Sequence, residues 1–322
     1  MSKLVSGLSA FVPLHEVSEF SIEANPGTLT DTFAYTASAL GINRVSFGMQ
    51  AYQDSLLKLL GRIHGFQDVA HSAAMARKYG IGNINLDLMF GIPWQTFRDW
   101  KETLEAAVSL APVHISAYGL IPEEGTPLAE KLLHGELVLP EEEEERSMYD
   151  FAIAYLQENG YEQYEISNFA RKGYECVHNI GYWTQVPYTG LGVSAASMQI
   201  IKAGTPGMHC IRMKNPDSLP EYYRSVRSGL CDPASKEIIS PADARFETMM
   251  LSLRMTKGIS EHRFMELHGV SMDACFGEKL REMSEKGLMV RENGYWKLTR
   301  RGMDIQNSIL VELMDNPQNL PN

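Results

Sequence analysis

Four residues carry the chemistry of a site for a small zwitterionic nucleoside: Glu23, Gln50, Arg62 and Asp87. Carboxylates and an amide can hold a ribose diol or an ammonium, and a guanidinium can hold a carboxylate. Each also has a plainer role. Glu23 can cap a turn, Arg62 can be a surface charge, and Asp87 can accept backbone N–H groups at a strand end. A phosphate ligand is not indicated, because no GxxxxGK followed by Ser or Thr occurs. Gly190-Leu191-Gly192 permits a close ligand approach or simply a tight turn. A second set is Cys176-Val177-His178-Asn179-Ile180-Gly181-Tyr182-Trp183. Thiolate and imidazole are both axial ligands of heme iron, and the neighbouring rings can sandwich a flat macrocycle. Spacing alone favours the plainer alternative, in which His178 and Asn179 bond backbone while Tyr182 and Trp183 pack under a loop.

The first set needs strands to position it. The stretch IGNINLDLMFGIPWQT over 81–96 is an apolar run broken by Asp87 and closed by Gly91-Ile92-Pro93. It reads as a strand buried on both faces, as in a parallel sheet. Residues 20–27 carry Glu23 and end in a turn, residues 44–50 end in Gln50, and residues 114–120 make a fourth strand. Helices are predicted between them over 28–40, 54–60, 66–79 and 96–110, with another already under way over 1–17. Strand–helix alternation with short connections predicts an α/β fold with a parallel sheet and right-handed crossovers. Polar groups at the carboxyl ends of such strands are where a β/α barrel builds its site. A closed barrel has about eight strands, so four strands predict a partial one.

Three domains are expected: a partial barrel over 1–130, a following lobe over 131–239, and a C-terminal module over 240–322. Residues 123–127 read as a turn. The run Glu141 to Glu145 opens a helix to about residue 159, where carboxylates favour the helix N-terminus rather than a metal. Residues 161–169 and 176–198 read as irregular. The C-terminal module has helices over 241–255, 260–267, 272–286 and 303–314. Its hairpin turns at Asn293-Gly294. That is a winged-helix-like pattern of α+β type.

Composition limits the function classes. The 322 residues are 44% hydrophobic and 21% charged, which fits an ordinary globular protein. A net charge of -11 argues against a nucleic-acid binder. Residues 254–301 hold ten Lys/Arg against seven Asp/Glu, too weak a bias for a phosphate-binding face. No stretch nears the roughly 18 apolar residues of a membrane helix, and no signal peptide is evident. The four cysteines are scattered with no CxxC, so neither a zinc site nor a disulfide framework is expected. Reduced thiols in a cytoplasmic protein are the default.

Nine segments in order resemble one family: EANPGT (23–28), NRVSFGMQAY (43–52), LLGRIH (59–64), NINLDLMFGIP (83–93), HISAYGL (114–120), EGTP (124–127), YEISNFA (164–170), HNIGYW (178–183) and GLGVSA (190–195). The family is that of the HemW-type radical SAM heme chaperones, relatives of oxygen-independent coproporphyrinogen III oxidase. The resemblance covers essentially the whole chain. It implies a six-stranded partial β/α barrel with a small C-terminal helical domain, and the cofactors S-adenosylmethionine, a 4Fe–4S cluster and heme. Residue by residue, it implies S-adenosylmethionine contacts at Glu23, Gln50, Arg62 and Asp87. Ile121 and Ala196 match two further apolar or backbone contacts. It implies heme at His178 with Cys176. The partners implied are heme and a heme-acceptor protein, with peripheral membrane association through such acceptors; a homodimer stays open, and nucleic acid is not among them.

HNxxYW separates the chaperone from the oxidase, whose decarboxylation of coproporphyrinogen III propionates is the competing expectation. Family members begin with a strand leading to CxxxCxxC and a second ending in GGGTP; neither is in this sequence. The four strands correspond to the family's third to sixth. A fragment or a misassigned N-terminus is therefore expected, one that does not form the cluster by itself.

Overall fold

The computed structural model describes residues 1–201, 209–229 and 235–314. The chain divides into two compact units, Met1–Val177 and His178–Asn322. Each has its own apolar core.

The first unit is built on β1 (Ser21–Ala24), β2 (Arg44–Gln50), β3 (Asn83–Phe90), β4 (His114–Gly119), β5 (Glu162–Gln163) and β6 (Asn168–Ala170). Their order is β1-β2-β3-β4-β6-β5. The first four pair in parallel, and β6 and β5 continue the sheet antiparallel. The four expected parallel strands are thus present with helices between them. Residues 162–170, expected in a following lobe, belong to this sheet instead, because β6 pairs directly with β4.

Strand alternation splits the sheet chemically. Val45, Phe47, Met49, Ile84, Leu86, Leu88, Ile115 and Ala117 are all buried in the helix-covered core. Their neighbours in the pleat carry polar groups on the opposite face: Ser46, Asn85, Asp87, His114, Ser116 and Tyr118. The β3 run is therefore not apolar on both faces. Asn85 and Asp87 mark a polar interior.

Helix Phe97–Ser109 shows how the core face is covered. Thr96 and Asp99 form a reciprocal capping box. Trp100, Thr103, Leu104 and Ala107 follow at helical spacing and are all buried. The Trp100 indole N–H donates to the Met148 carbonyl at 2.8 Å, tying this helix to helix Glu142–Glu158. The expected continuous helix over 1–17 is shorter: it spans Ser2–Leu8, and a single 3-10 turn, Leu14–Glu16, follows Pro13. Proline cannot donate within a helix, and glycine and serine before it weaken the run. Residues 123–127 do turn, but Thr126 caps a short helix, Pro127–Leu133, that the sequence reading lacked.

In the second unit β7 (Ala196–Ile201), β8 (His209–Lys214) and β9 (Ser235–Ile239) form an antiparallel sheet. The sequence reading had no such sheet. The C-terminal module has helices Pro241–Ser252, Glu261–His268 and Met272–Glu285. Beside them β10 (Ile259–Ser260), β11 (Met289–Glu292) and β12 (Tyr295–Leu298) are ordered β10-β12-β11. Asn293 and Gly294 have φ of 52° and 77°, as a two-residue hairpin turn with both central residues left-handed requires. The last expected helix is two, Arg300–Asp304 and Gln306–Met314, parted at Ile305. Among the described residues no helix is long and apolar enough to cross a membrane.

Candidate functional site

Tyr118, which the sequence reading did not single out as a site residue, is the centre of the first set. Its hydroxyl donates to Gln50 Oε1 at 3.2 Å. Its pKa is pushed up to about 12, first by burial and then by the charge of Asp87; Arg62 opposes this, and Glu23 adds to it. The phenol therefore stays protonated. All four candidate residues act on this one group, which the chain brings together from β1, β2, the turn after residue 60, β3 and β4.

Gln50 is 4% exposed and has a φ of 62° at an irregularity in the β2 register. A left-handed non-glycine at a buried strand end is a strained arrangement of the kind found at binding sites. Asp87 accepts from the Ser46 hydroxyl at 2.8 Å and from Asn85 Nδ2 at 2.7 Å. Each carboxylate oxygen thus takes one donor and keeps acceptor capacity. Glu23 is exposed on β1, and Arg62 is half-buried. Ile121 is 82% exposed just past β4. Ala196 is exposed on β7 in the second unit. Together the five groups in the first unit offer acceptors for hydroxyls or an ammonium, and one guanidinium for a carboxylate.

A polar chain leads inward from Asp87. Asn85 donates its amide N–H groups to Asp87 and Ser46, so its oxygen accepts from His114 Nδ1 at 2.6 Å. His114 Nε2 is then the acceptor for the Tyr164 hydroxyl at 2.9 Å. The Tyr164 oxygen accepts the Cys176 N–H at 3.4 Å. Burial, helped by the Arg44 charge, drops the His114 pKa to about 3, so the ring is neutral and the chain has one direction of donation. A second buried group joins Cys176. Glu19 accepts from the Val177 N–H at 3.0 Å, the Ser21 hydroxyl at 3.1 Å and the Cys176 thiol at 3.5 Å. Arg44 lies 4.0 Å from the same carboxylate.

A cavity of about 490 Å³ opens beside Tyr118, Phe90 and Gly119. Glu145 borders it, and burial and Glu142 raise its pKa. A Cβ on Gly119 would come 2.8 Å from the Glu145 carboxylate, so glycine is what admits that side chain. The acidic run does begin helix Glu142–Glu158, and its fourth carboxylate within the helix also reaches the strand ends.

The second set is helical, not a loop. Helix Val177–Trp183 carries HNIGYW. Cys176 is 3% exposed, whereas His178 is exposed. The His178 ring packs edge-on against Tyr182, one turn later, at 4.7 Å. Tyr182 in turn meets Tyr188 at 4.9 Å. Trp183 lies under the Arg254 guanidinium at 4.5 Å. Gly190 approaches the Ala196 backbone so closely that a Cβ would sit 2.1 Å from its oxygen. Asn215 Nδ2 ties the carbonyls of Gly190 and Gly192. The tight-turn alternative accounts for that element.

Among the described residues no group of three or more His, Cys, Asp or Glu is placed to hold a metal ion. Cys176 precedes helix Val177–Trp183, Cys210 lies on β8 and Cys275 on helix Met272–Glu285, and all three are free; Cys231 lies outside the described residues.

Two family models match the chain: the Radical SAM superfamily over residues 5–107 and the HemN C-terminal domain over residues 239–305. A heme chaperone HemW from Bacillus subtilis is 36% identical over 301 residues, 92% of this chain and 76% of that protein. The heme chaperone HemW of Lactococcus lactis is 30% identical over 314 residues, 98% of this chain and 80% of that protein. Among solved structures, coproporphyrinogen III oxidase (HemN) from Escherichia coli, a radical SAM enzyme, is similar with a TM-score of 0.76. That likeness is at 20% identity and covers 98% of this chain and 74% of the other, so it speaks for the fold.

Proposed function

The chain belongs to the HemW family of radical SAM proteins, and we propose that it binds heme and delivers it to an acceptor protein. One coincidence carries this reading. Likeness to proteins named heme chaperones runs along nearly the whole chain, and in this chain an exposed histidine shares a helix with a tyrosine and a tryptophan that line an apolar cavity. His178 is the ligand to heme iron. A neutral imidazole is a common axial ligand, and an exposed side chain on a short helix lets heme enter and leave. Cys176 has a different role in this proposal. Its thiol is buried against Glu19, so it anchors the start of the helix rather than ligating iron.

The residues around Tyr118 fit S-adenosylmethionine. Glu23 and Asp87 accept from ribose hydroxyls or the ammonium, Arg62 pairs with the carboxylate, and Gln50 and Tyr118 fix the polar edge. The bound molecule supplies an activated sulfonium. The described residues do not fit a 4Fe–4S cluster, which needs clustered thiolates. The likeness to the oxidase is one of fold, and nothing in this chain's site favours that reaction over heme handling.

Two measurements test the reading. Titrating the purified chain with hemin should give a shifted Soret band, and His178→Ala should lose that shift. An unshifted band in the parent chain would end the heme reading; an unchanged shift in the variant would remove His178 as ligand. Arg62 is half-buried just after helix Asp54–Leu59, and circular dichroism reports whether Arg62→Ala folds. The variant should weaken S-adenosylmethionine binding in calorimetry about tenfold, roughly 1.4 kcal/mol. Equal affinity would place the methionine carboxylate elsewhere.

A further inference from the structure

The second unit contains a cavity of about 380 Å³ whose walls include Tyr182, Tyr188, Val186, Met198 and Leu251. Such a lining suits a flat apolar ligand. Polar groups interrupt it at Trp183, Gln185, Arg212 and Glu247, and two of these can donate to an anion. Trp183 also lines the cavity, and its buried indole nitrogen has no hydrogen-bond partner among the described residues. A buried N–H without an acceptor is an uncommon cost in a folded protein and points to a missing partner. An indole N–H only donates, so the partner must accept. Arg212 is the second group. Its Nη2 holds Glu247 at 2.6 Å, and its side chain is 39% exposed. A guanidinium carries five N–H donors in a fork, so one carboxylate oxygen leaves it able to take a second anion. Arg254 stacks on the face of the same indole.

We propose that this cavity takes the propionate-bearing edge of a porphyrin, with Arg212 and the Trp183 indole N–H both bonding one propionate carboxylate. The proposal rests on the reading of the chain as a heme binder and adds what selects the macrocycle. Glu247 keeps the guanidinium aimed and partly neutralised. When the propionate arrives, the guanidinium bridges both acids, and the tyrosine rings meet the apolar face of the macrocycle. The site thus distinguishes a dicarboxylic porphyrin from an apolar one by its periphery, independently of iron.

The test uses the full chain and iron-free protoporphyrin IX against its dimethyl ester, in the same dilute detergent, followed by quenching of tryptophan fluorescence and by porphyrin absorbance. The parent chain should bind the free acid at least tenfold more tightly than the ester. Trp183→Phe keeps the ring and removes the N–H, and Arg212→Gln removes the charge. Each should bring the acid-to-ester ratio close to one by lowering acid affinity far more than ester affinity, with circular dichroism reporting that the variants fold. A parent chain that binds acid and ester equally, or variants that keep the preference, would overturn the proposal. Hemin binding without acid preference overturns it alone; failure to bind either hemin or the iron-free porphyrin overturns the heme reading with it.

Discussion

Glu19→Ala should destabilise the first unit by about 3 kcal/mol and expose the Cys176 thiol. Glu19 and Arg44 have side chains only 8% and 7% exposed. Removing one partner of a buried ion pair strands the other charge, typically at roughly 3 to 5 kcal/mol. The lower end applies here, because the pair is 4.0 Å apart and Arg44 Nε makes no hydrogen bond. The same truncation removes the acceptor for the Val177 N–H and the Cys176 thiol, so the first turn of the HNIGYW helix loses its anchor. Urea unfolding should show a lower midpoint, and a thiol reagent under native conditions should label Cys176 faster than in the parent. Glu19→Gln keeps two acceptor positions on a neutral oxygen and should fall between. A stability loss under about 1 kcal/mol with Cys176 still protected would mean that Glu19 holds neither Arg44 nor the helix.

The second large effect is the loss of stability in mild acid, from two buried histidines held neutral. His114 sits in the first unit with a pKa dropped to about 3, by burial and then Arg44. His268 sits in the second with a pKa dropped to about 4, by burial and then Arg245. Both are fully buried. An unfolded histidine takes up a proton near pH 6.5, whereas these folded ones do not until the pH is far lower. Between those values the unfolded state binds more protons, so stability rises with pH and is lost as pH falls. Above about pH 6.5 neither ring penalises the fold. Each unit should lose about 1.4 kcal/mol per pH unit below that, or roughly 2 kcal/mol by pH 5. The loss levels off near pH 3 for the first unit and near pH 4 for the second. Chemical denaturation at a series of pH values measures the slope. Carboxylates contribute in the same acid range, so the decisive comparison is with His114→Gln and His268→Gln. Each variant should be less stable near neutrality and flatter between pH 6.5 and 4.5. A variant slope equal to the parent's would mean that the ring protonates in place at no cost.

The elements were legible because their signals are local. The strands at 44–50 and 83–90, the capping box at Thr96 and the Asn293-Gly294 turn depend on residues a few positions apart. So do the two chemical sets, since a carboxylate in an apolar run and a Cys-x-His beside Tyr-Trp are visible in the sequence. HNIGYW was readable as a motif but not as a helix: glycine at 181 and aromatic residues around it make poor helical propensity.

Residue types and spacing determined the α/β class, the four parallel strands, the helical C-terminal module and the family. Tertiary structure alone decided what those residues do to one another. Ser46 meets Asp87, His114 meets Tyr164, and Glu19 meets Val177 across 41, 50 and 158 positions of chain. It alone made Tyr118 the group on which four candidate residues act, and it put residues 162–170 into the first sheet. The physical reason is the pleat. Alternation sends one set of strand residues into the apolar core and the other onto a common polar face, and which distant polar groups become neighbours there depends on strand register, which local pattern does not encode.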